Sequence, residues 1–142
     1  MEVVSLALLK DDKILVVRDR EKDFWTLPGG KIERKKKEIG DGRIVESKET
    51  KIEALKREAK EEIPLVNWKN LNYYDEFFGV TPHGRQCIVI YVFYAEYSGG
   101  SIEPHSEITG SKWIDKEEAK LKTTQSTQNI INSIYVDLSK TN

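Results

Sequence analysis

The chain opens on two apolar, β-rich runs, Val3 to Leu9 and Ile14 to Arg18, set around the polar turn Lys10-Asp11-Asp12-Lys13, which is the pattern of a hairpin. Phe24-Trp25-Thr26-Leu27 reads as a short strand ended by Pro28-Gly29-Gly30, a strong turn signal. A helix follows. Thr50 stands three positions before Glu53, the capping-box spacing in which each side chain satisfies the other's free backbone N–H. The helix runs through Ala54, Leu55 and Lys56 to about Glu62, and Pro64 stops it. The second half is mostly strand: Tyr73 to Val80, Gln86 to Tyr97 and Lys112 to Ile114, with turns at Pro82-His83-Gly84 and Ser98-Gly99-Gly100. Asp115 caps a short helix over Lys116 to Lys120. A last amphipathic helix, about Gln125 to Leu138, places Ile130, Ile131, Ile134 and Leu138 on one face. Strands, helix, strands, helix is an α+β or sandwich layout. No internal repeat or second domain is visible, and 142 residues is one domain on ordinary size grounds.

Composition narrows the partners. With 23 basic against 24 acidic residues, no general nucleic-acid-binding surface is implied, although a small phosphate-bearing substrate can still be gripped locally. The one cysteine, Cys87, heads the apolar run to Phe93 and reads as a buried strand thiol; alone, it excludes an internal disulfide. No run reaches the roughly 20 apolar residues that span a bilayer. Glu2 precedes the first apolar run without a basic region, which does not read as a secretory signal, so the expected location is cytoplasmic with no membrane partner. Oligomeric state is not legible.

The chemistry concentrates in Arg57-Glu58-Ala59-Lys60-Glu61-Glu62. At helical spacing, Glu58, Glu61 and Glu62 stand at i, i+3 and i+4 on one face, where like charges repel. A hard divalent cation bound by oxygen is the natural reason to keep them together.

These residues resemble the signature of the Nudix hydrolases, of MutT type. Glu49 is followed by seven residues and then by Arg57, Glu58, Ala59, Lys60, Glu61, Glu62, Ile63 and Leu65 in the family's places. Two departures stand out: Pro64 replaces a glycine, and Gly30 is separated from Glu49 by eighteen residues instead of five. Removing thirteen residues, Arg34 to Glu46, restores the spacing from end to end. Within that insertion Gly40-Asp41-Gly42 is good turn chemistry between Glu38-Ile39 and Arg43-Ile44-Val45. The expectation is a protruding β-hairpin, with a disordered charged loop as the alternative. Lys35, Lys36, Lys37 and Arg43 then either reach substrate phosphates or form a solvated run.

The resemblance implies an α/β/α sandwich with a mixed sheet, and magnesium- or manganese-dependent hydrolysis of a diphosphate linkage in a nucleoside diphosphate derivative. It implies that Glu58 and Glu62 are direct metal ligands, that Glu61 shares the metal cluster directly or through water, and that the backbone carbonyl at Gly29 contributes. Arg57 and Glu49 pair and brace the loop, with Glu49 also a candidate contact to metal or water. The general base is a helix glutamate or one from a later loop, where Glu107 is the candidate and Glu103 the runner-up. Trp25 is placed to stack on a nucleobase and Arg18 to meet a phosphate; for both, packing or a surface position is an equal alternative. His83 and His105 are isolated and make no metal site. Family substrates include damaged nucleoside triphosphates, ADP-ribose, dinucleoside polyphosphates and capped RNA; the short chain favours a housecleaning nucleoside triphosphate pyrophosphatase. The rival class is a non-catalytic nucleotide-binding or regulatory module of the same fold.

Overall fold

A computed structural model describes residues 1–19, 23–81, 84, 86–103 and 108–140. In chain order the elements are β1 (Glu2–Lys10), β2 (Lys13–Asp19), β3 (Gly29–Lys31), β4 (Arg34–Ile39), β5 (Arg43–Lys48), α1 (Lys51–Glu62), β6 (Val66–Val80), β7 (Cys87–Gly100), β8 (Ile108–Ile114), α2 (Lys116–Lys122) and α3 (Gln125–Ser139). The main sheet has the order β6-β7-β1-β2-β8, with β3 paired to β1. β1 and β7 run parallel and the other neighbours antiparallel, so the sheet is mixed.

The alternation of β2 shows how the layers form. Leu15 and Val17 join Ala54, Leu55 and Ala59 of α1, while Ile14 and Val16 join Ala119 of α2 and Ile130, Ile131 and Ile134 of α3. Both faces of this central strand are covered, which is why it reads as an unbroken apolar run. The result is an α/β/α sandwich. Burying a side chain such as Leu55 stabilises it by about 2 kcal/mol. No helix is long and apolar enough to cross a membrane among the described residues.

Four expectations are corrected. Residues 24–27 form no strand: Thr26 and Trp25 make single bridges to Val17 and Thr123. The strand comes instead at Gly29–Lys31, because Gly29 at φ 155° brings its backbone against β1, where a Cβ would stand 2.0 Å from the Val4 carbonyl oxygen. β6 starts at Val66 rather than Tyr73; three register shifts and a positive φ at Asn70 break the alternation that marks a strand in sequence. Gly99 and Gly100 end β7 rather than forming a turn, pairing with Asn67 and Val66. Cys87 is exposed, because it is the first residue of β7, ahead of the buried stretch that begins at Ile90.

Between β3 and α1, β4 and β5 form a separate two-stranded sheet, Arg34 opposite Lys48 through Ile39 opposite Arg43. Gly40 and Gly42 take positive φ at its tip. Its root is closed by the Glu49 N–H on the Glu33 carbonyl at 2.9 Å, so the chain leaves and re-enters the domain at one place.

Candidate active site

α1 begins with the capping box. The Glu53 N–H donates to Thr50 Oγ1 at 3.1 Å, and the Thr50 N–H donates to Glu53 Oε1 at 3.0 Å. It ends at Glu62, with Ile63 as the C-cap immediately before Pro64. Ala54, Leu55 and Ala59 fix one face in the core, and this sets the rotation of the helix. Glu58 and Glu62 are thereby turned toward the β3 turn.

The two glycines of that turn make room for them. The Gly29 N–H donates to Glu62 Oε1 at 3.2 Å. A Cβ on Gly30 would stand 2.4 Å from Oε1 of Glu58, so only glycine admits that carboxylate at this distance. Glu62 is buried, and burial with the nearby negative charges of Glu58, Glu61 and Asp19 pushes its carboxyl up to about 8, against the pull of the Gly29 N–H. Burial also raises Glu58, although its hydrogen bond from Arg57 works the other way.

Arg57 is the hub. Its Nε donates to Glu49 Oε2 and its Nη2 to Glu49 Oε1, both at 2.9 Å, a bidentate grip. Nη2 also donates to the Lys31 carbonyl at 2.9 Å, and Nη1 to Glu58 Oε1 at 2.9 Å. Glu33 and Glu61 lie at 3.7 Å from Nη1. Glu49 is buried and accepts a further bond from the Glu33 N–H at 2.8 Å. The Arg57 hydrogen bonds lead the causes that hold its carboxyl at about 2. Thus Arg57 ties the turn, the hairpin root and the helix to one another.

Glu58, Glu61 and Glu62 line one cleft of about 400 Å³ with Gly29, Gly30 and Asp19. Asp19 was not legible in the sequence as a member of this group; it sits at a register shift in the β2–β8 pairing, which nothing in its local pattern announces. None of the residues lining the cleft comes from the β4–β5 hairpin. A second cleft of about 420 Å³ lies on the other side of the turn. It shares Thr26, Gly29 and Gly30 with the first and is walled by Phe24, Leu27, Ile88, Ile90 and Ile130.

Not every sequence candidate comes to these clefts. Arg18 and Trp25 meet each other, the guanidinium carbon 5.1 Å from the ring centroid, and the indole also packs against Gly110. They line neither cleft. Glu103 is exposed, and Glu107, His83 and His105 lie outside the described residues.

The donor set suits a hard divalent cation such as Mg2+ or Mn2+. Glu58 and Glu62 are carboxylates that the fold crowds and desolvates, and Arg57 reaches only the first of them. Among the described residues no three acidic, histidine or cysteine groups converge tightly enough to enclose an ion. An ion held here would complete its shell with water and substrate oxygens, as magnesium does.

A family model described as the NUDIX domain matches residues 1–133. No functionally curated protein matches the chain in sequence. Among solved structures, a NUDIX hydrolase from Nitrosomonas europaea is similar at 16% identity and TM-score 0.71, over 96% of this chain and 88% of its own. The E. coli dihydroneopterin triphosphate pyrophosphohydrolase matches at 19% and 0.65, over 96% and 95%. A bifunctional NMN adenylyltransferase/ADP ribose pyrophosphatase from Francisella tularensis, complexed with AMP and a manganese ion, matches at 20% and 0.65, over 96% of this chain and 41% of its own. At these identities the likeness shows the fold.

Proposed function

The chain belongs to the NUDIX domain family, and we propose on that premise that it is a divalent-metal-dependent hydrolase of a diphosphate linkage in a nucleoside diphosphate derivative. The observation that carries this reading is the approach of Glu58 and Glu62 to the Gly29-Gly30 turn, Glu58 held by Arg57 and Glu62 by the Gly29 N–H. Two desolvated carboxylates in an open cleft are costly unless a cation joins them.

Glu58 and Glu62 would hold the metal, with Glu61 and the Gly29 carbonyl as further oxygen donors. Mg2+ or Mn2+, when bound, offsets the charge of the diphosphate and makes a water more acidic. The protein positions the rest. Water attacks one phosphorus, the bond from that phosphorus to the bridging oxygen breaks, and the proton passes to a carboxylate. Glu61, exposed on the cleft, and Glu107 are the candidate bases; Glu61→Gln against Glu107→Gln separates them. Arg57 acts by holding Glu58 and Glu49.

The two clefts, which share Thr26, Gly29 and Gly30 as walls, suggest the substrate's shape. The phosphates lie along the carboxylates, and the base turns past Gly29-Gly30 into the apolar cleft lined by Phe24, Leu27 and Ile90. A nucleoside triphosphate suits this two-part site; the similar E. coli enzyme is named for another triphosphate, one that carries a pterin instead of a nucleoside. Release of phosphate, pyrophosphate and nucleotide from a panel of nucleoside triphosphates, ADP-ribose, dinucleoside polyphosphates and capped RNA, with and without Mg2+ or Mn2+, tests the reading. Metal-dependent turnover of at least one class supports it. Nucleotide binding without turnover across the panel would instead make the chain a binding module.

A further inference from the structure

We infer that Thr26 reads the sugar of the nucleotide, its hydroxyl hydrogen-bonding a sugar hydroxyl where the two clefts meet; this rests on the reading of the site proposed above. The first observation is position. Of the three residues that line both clefts, Gly29 and Gly30 carry no side chain, so among the described residues Thr26 alone puts one into the junction. Whatever joins a base in the apolar cleft to phosphates on the carboxylates must pass this point. In a nucleotide that is the sugar.

The second observation is how Thr26 is held. Its N–H donates to the Val17 carbonyl at 2.9 Å, and its carbonyl accepts from the Val17 N–H at 2.8 Å. On either side, the Trp25 N–H donates to the Lys122 carbonyl at 3.0 Å and the Pro28 carbonyl accepts from the Leu6 N–H at 2.8 Å. The antiparallel bridge puts Thr26 on the same face as Val17, which packs toward α1 and lines the carboxylate cleft. A β-branched side chain on so firmly fastened a backbone has few rotamers to choose from, so its hydroxyl is set in place before a ligand arrives.

The third observation is chemical. The fold uses the backbone of Thr26 and leaves its Oγ1 over, with no hydrogen-bond partner among the described residues. No charged side chain stands among the described residues that line the apolar cleft, so the sugar and base meet neutral groups on that side. A threonine hydroxyl both donates and accepts, as a sugar hydroxyl does, and the pair needs no change of charge to form.

Steady-state turnover tests this on the full chain with Mg2+. The probes are whichever of ATP, GTP, CTP and UTP is hydrolysed best, and its 2′-deoxy and 3′-deoxy forms. Thr26→Val keeps the shape and removes the hydroxyl. It is expected to lower kcat/KM for the ribonucleotide about fivefold, as for one neutral hydrogen bond, and to cause no further loss on the deoxy form that lacks the partner. Which of the two deoxy forms behaves so identifies the hydroxyl that is read. Thr26→Ser is expected to restore the wild-type discrimination, and both variants to melt with the wild type, since neither breaks a hydrogen bond inside the protein. An equal loss on all three sugars, or no loss on any, overturns the inference while the hydrolase reading stands. No turnover of any of the four ribonucleotides also overturns it, and the wider substrate panel then decides separately whether the hydrolase reading survives.

Discussion

Arg57 on α1 and Glu49 in the link before it, eight positions apart in sequence, meet through two parallel hydrogen bonds of 2.9 Å. Fifteen residues of hairpin separate Glu49 from Glu33, yet Glu33 also bonds Glu49 through backbone and side chain. The clamp therefore does not depend on the length of what lies between them.

Breaking it has a measurable cost. Glu49→Gln keeps the shape but removes the charge that Arg57 grips in a buried position, and should lower stability by about 2 kcal/mol in denaturant titration. The pH dependence follows from the lowered Glu49 carboxyl. Its stabilisation is present above about 4.5 and is lost as the pH falls toward about 2, so wild type and Glu49→Gln should converge in stability across that window.

The two glycines of the turn fail differently. At Gly30 a Cβ meets the end of a side chain, so Gly30→Ala should fold normally while displacing Glu58 and weakening metal binding and turnover. At Gly29 a Cβ meets the backbone of Val4 at a φ that side chains rarely adopt. Gly29→Ala should therefore lower stability by about 3 kcal/mol, read as a fall in melting temperature.

Glu62 sets a pH dependence of opposite sign. Its carboxyl is pushed up to about 8, so in the metal-free protein the native state keeps a proton that the unfolded chain releases above about 4.5. Stability from this group is present below about 4.5 and is lost as the pH rises toward about 8. A cation must displace that proton, so metal affinity should rise with pH up to about 8 and then level, by calorimetric titration. Glu62→Gln should remove both slopes.

The hairpin should be dispensable for the chemistry. Replacing Arg34–Lys48 with an Asn-Gly turn leaves Glu33 and Glu49 adjacent across a two-residue loop of the kind that closes hairpins. Turnover per chain should stay within about threefold of wild type, less than 1 kcal/mol of barrier. A large loss would place the hairpin lysines on the substrate.

Much of the site could be read from residue spacing because it is local. Thr50, Glu53, Glu58 and Glu62 lie on one helix, where periodicity fixes their directions. Gly29 and Gly30 were recognisable as a turn but not as a strand, because their pairing with β1 depends on a backbone approach that sequence does not display. Asp19 was missed for a similar reason: its place in the cleft comes from a register shift in a long-range pairing. Cys87 was misplaced because an apolar run does not say where along it the core begins. An α+β or sandwich layout was legible from the order of elements and the family resemblance supplied its three layers, whereas the seven residues Val66 to Asn72 were lost to bulges in β6.

The most direct test is turnover of the best substrate in the panel as Mg2+ is titrated, comparing wild type with Glu58→Gln and Glu62→Gln. Removing either carboxylate should cut kcat by about a hundredfold or more and shift the metal dependence to higher concentration, with the fold intact by circular dichroism. Turnover that ignores the metal, or that both substitutions leave at the wild-type rate, would contradict a metal-assisted hydrolysis built on these two residues.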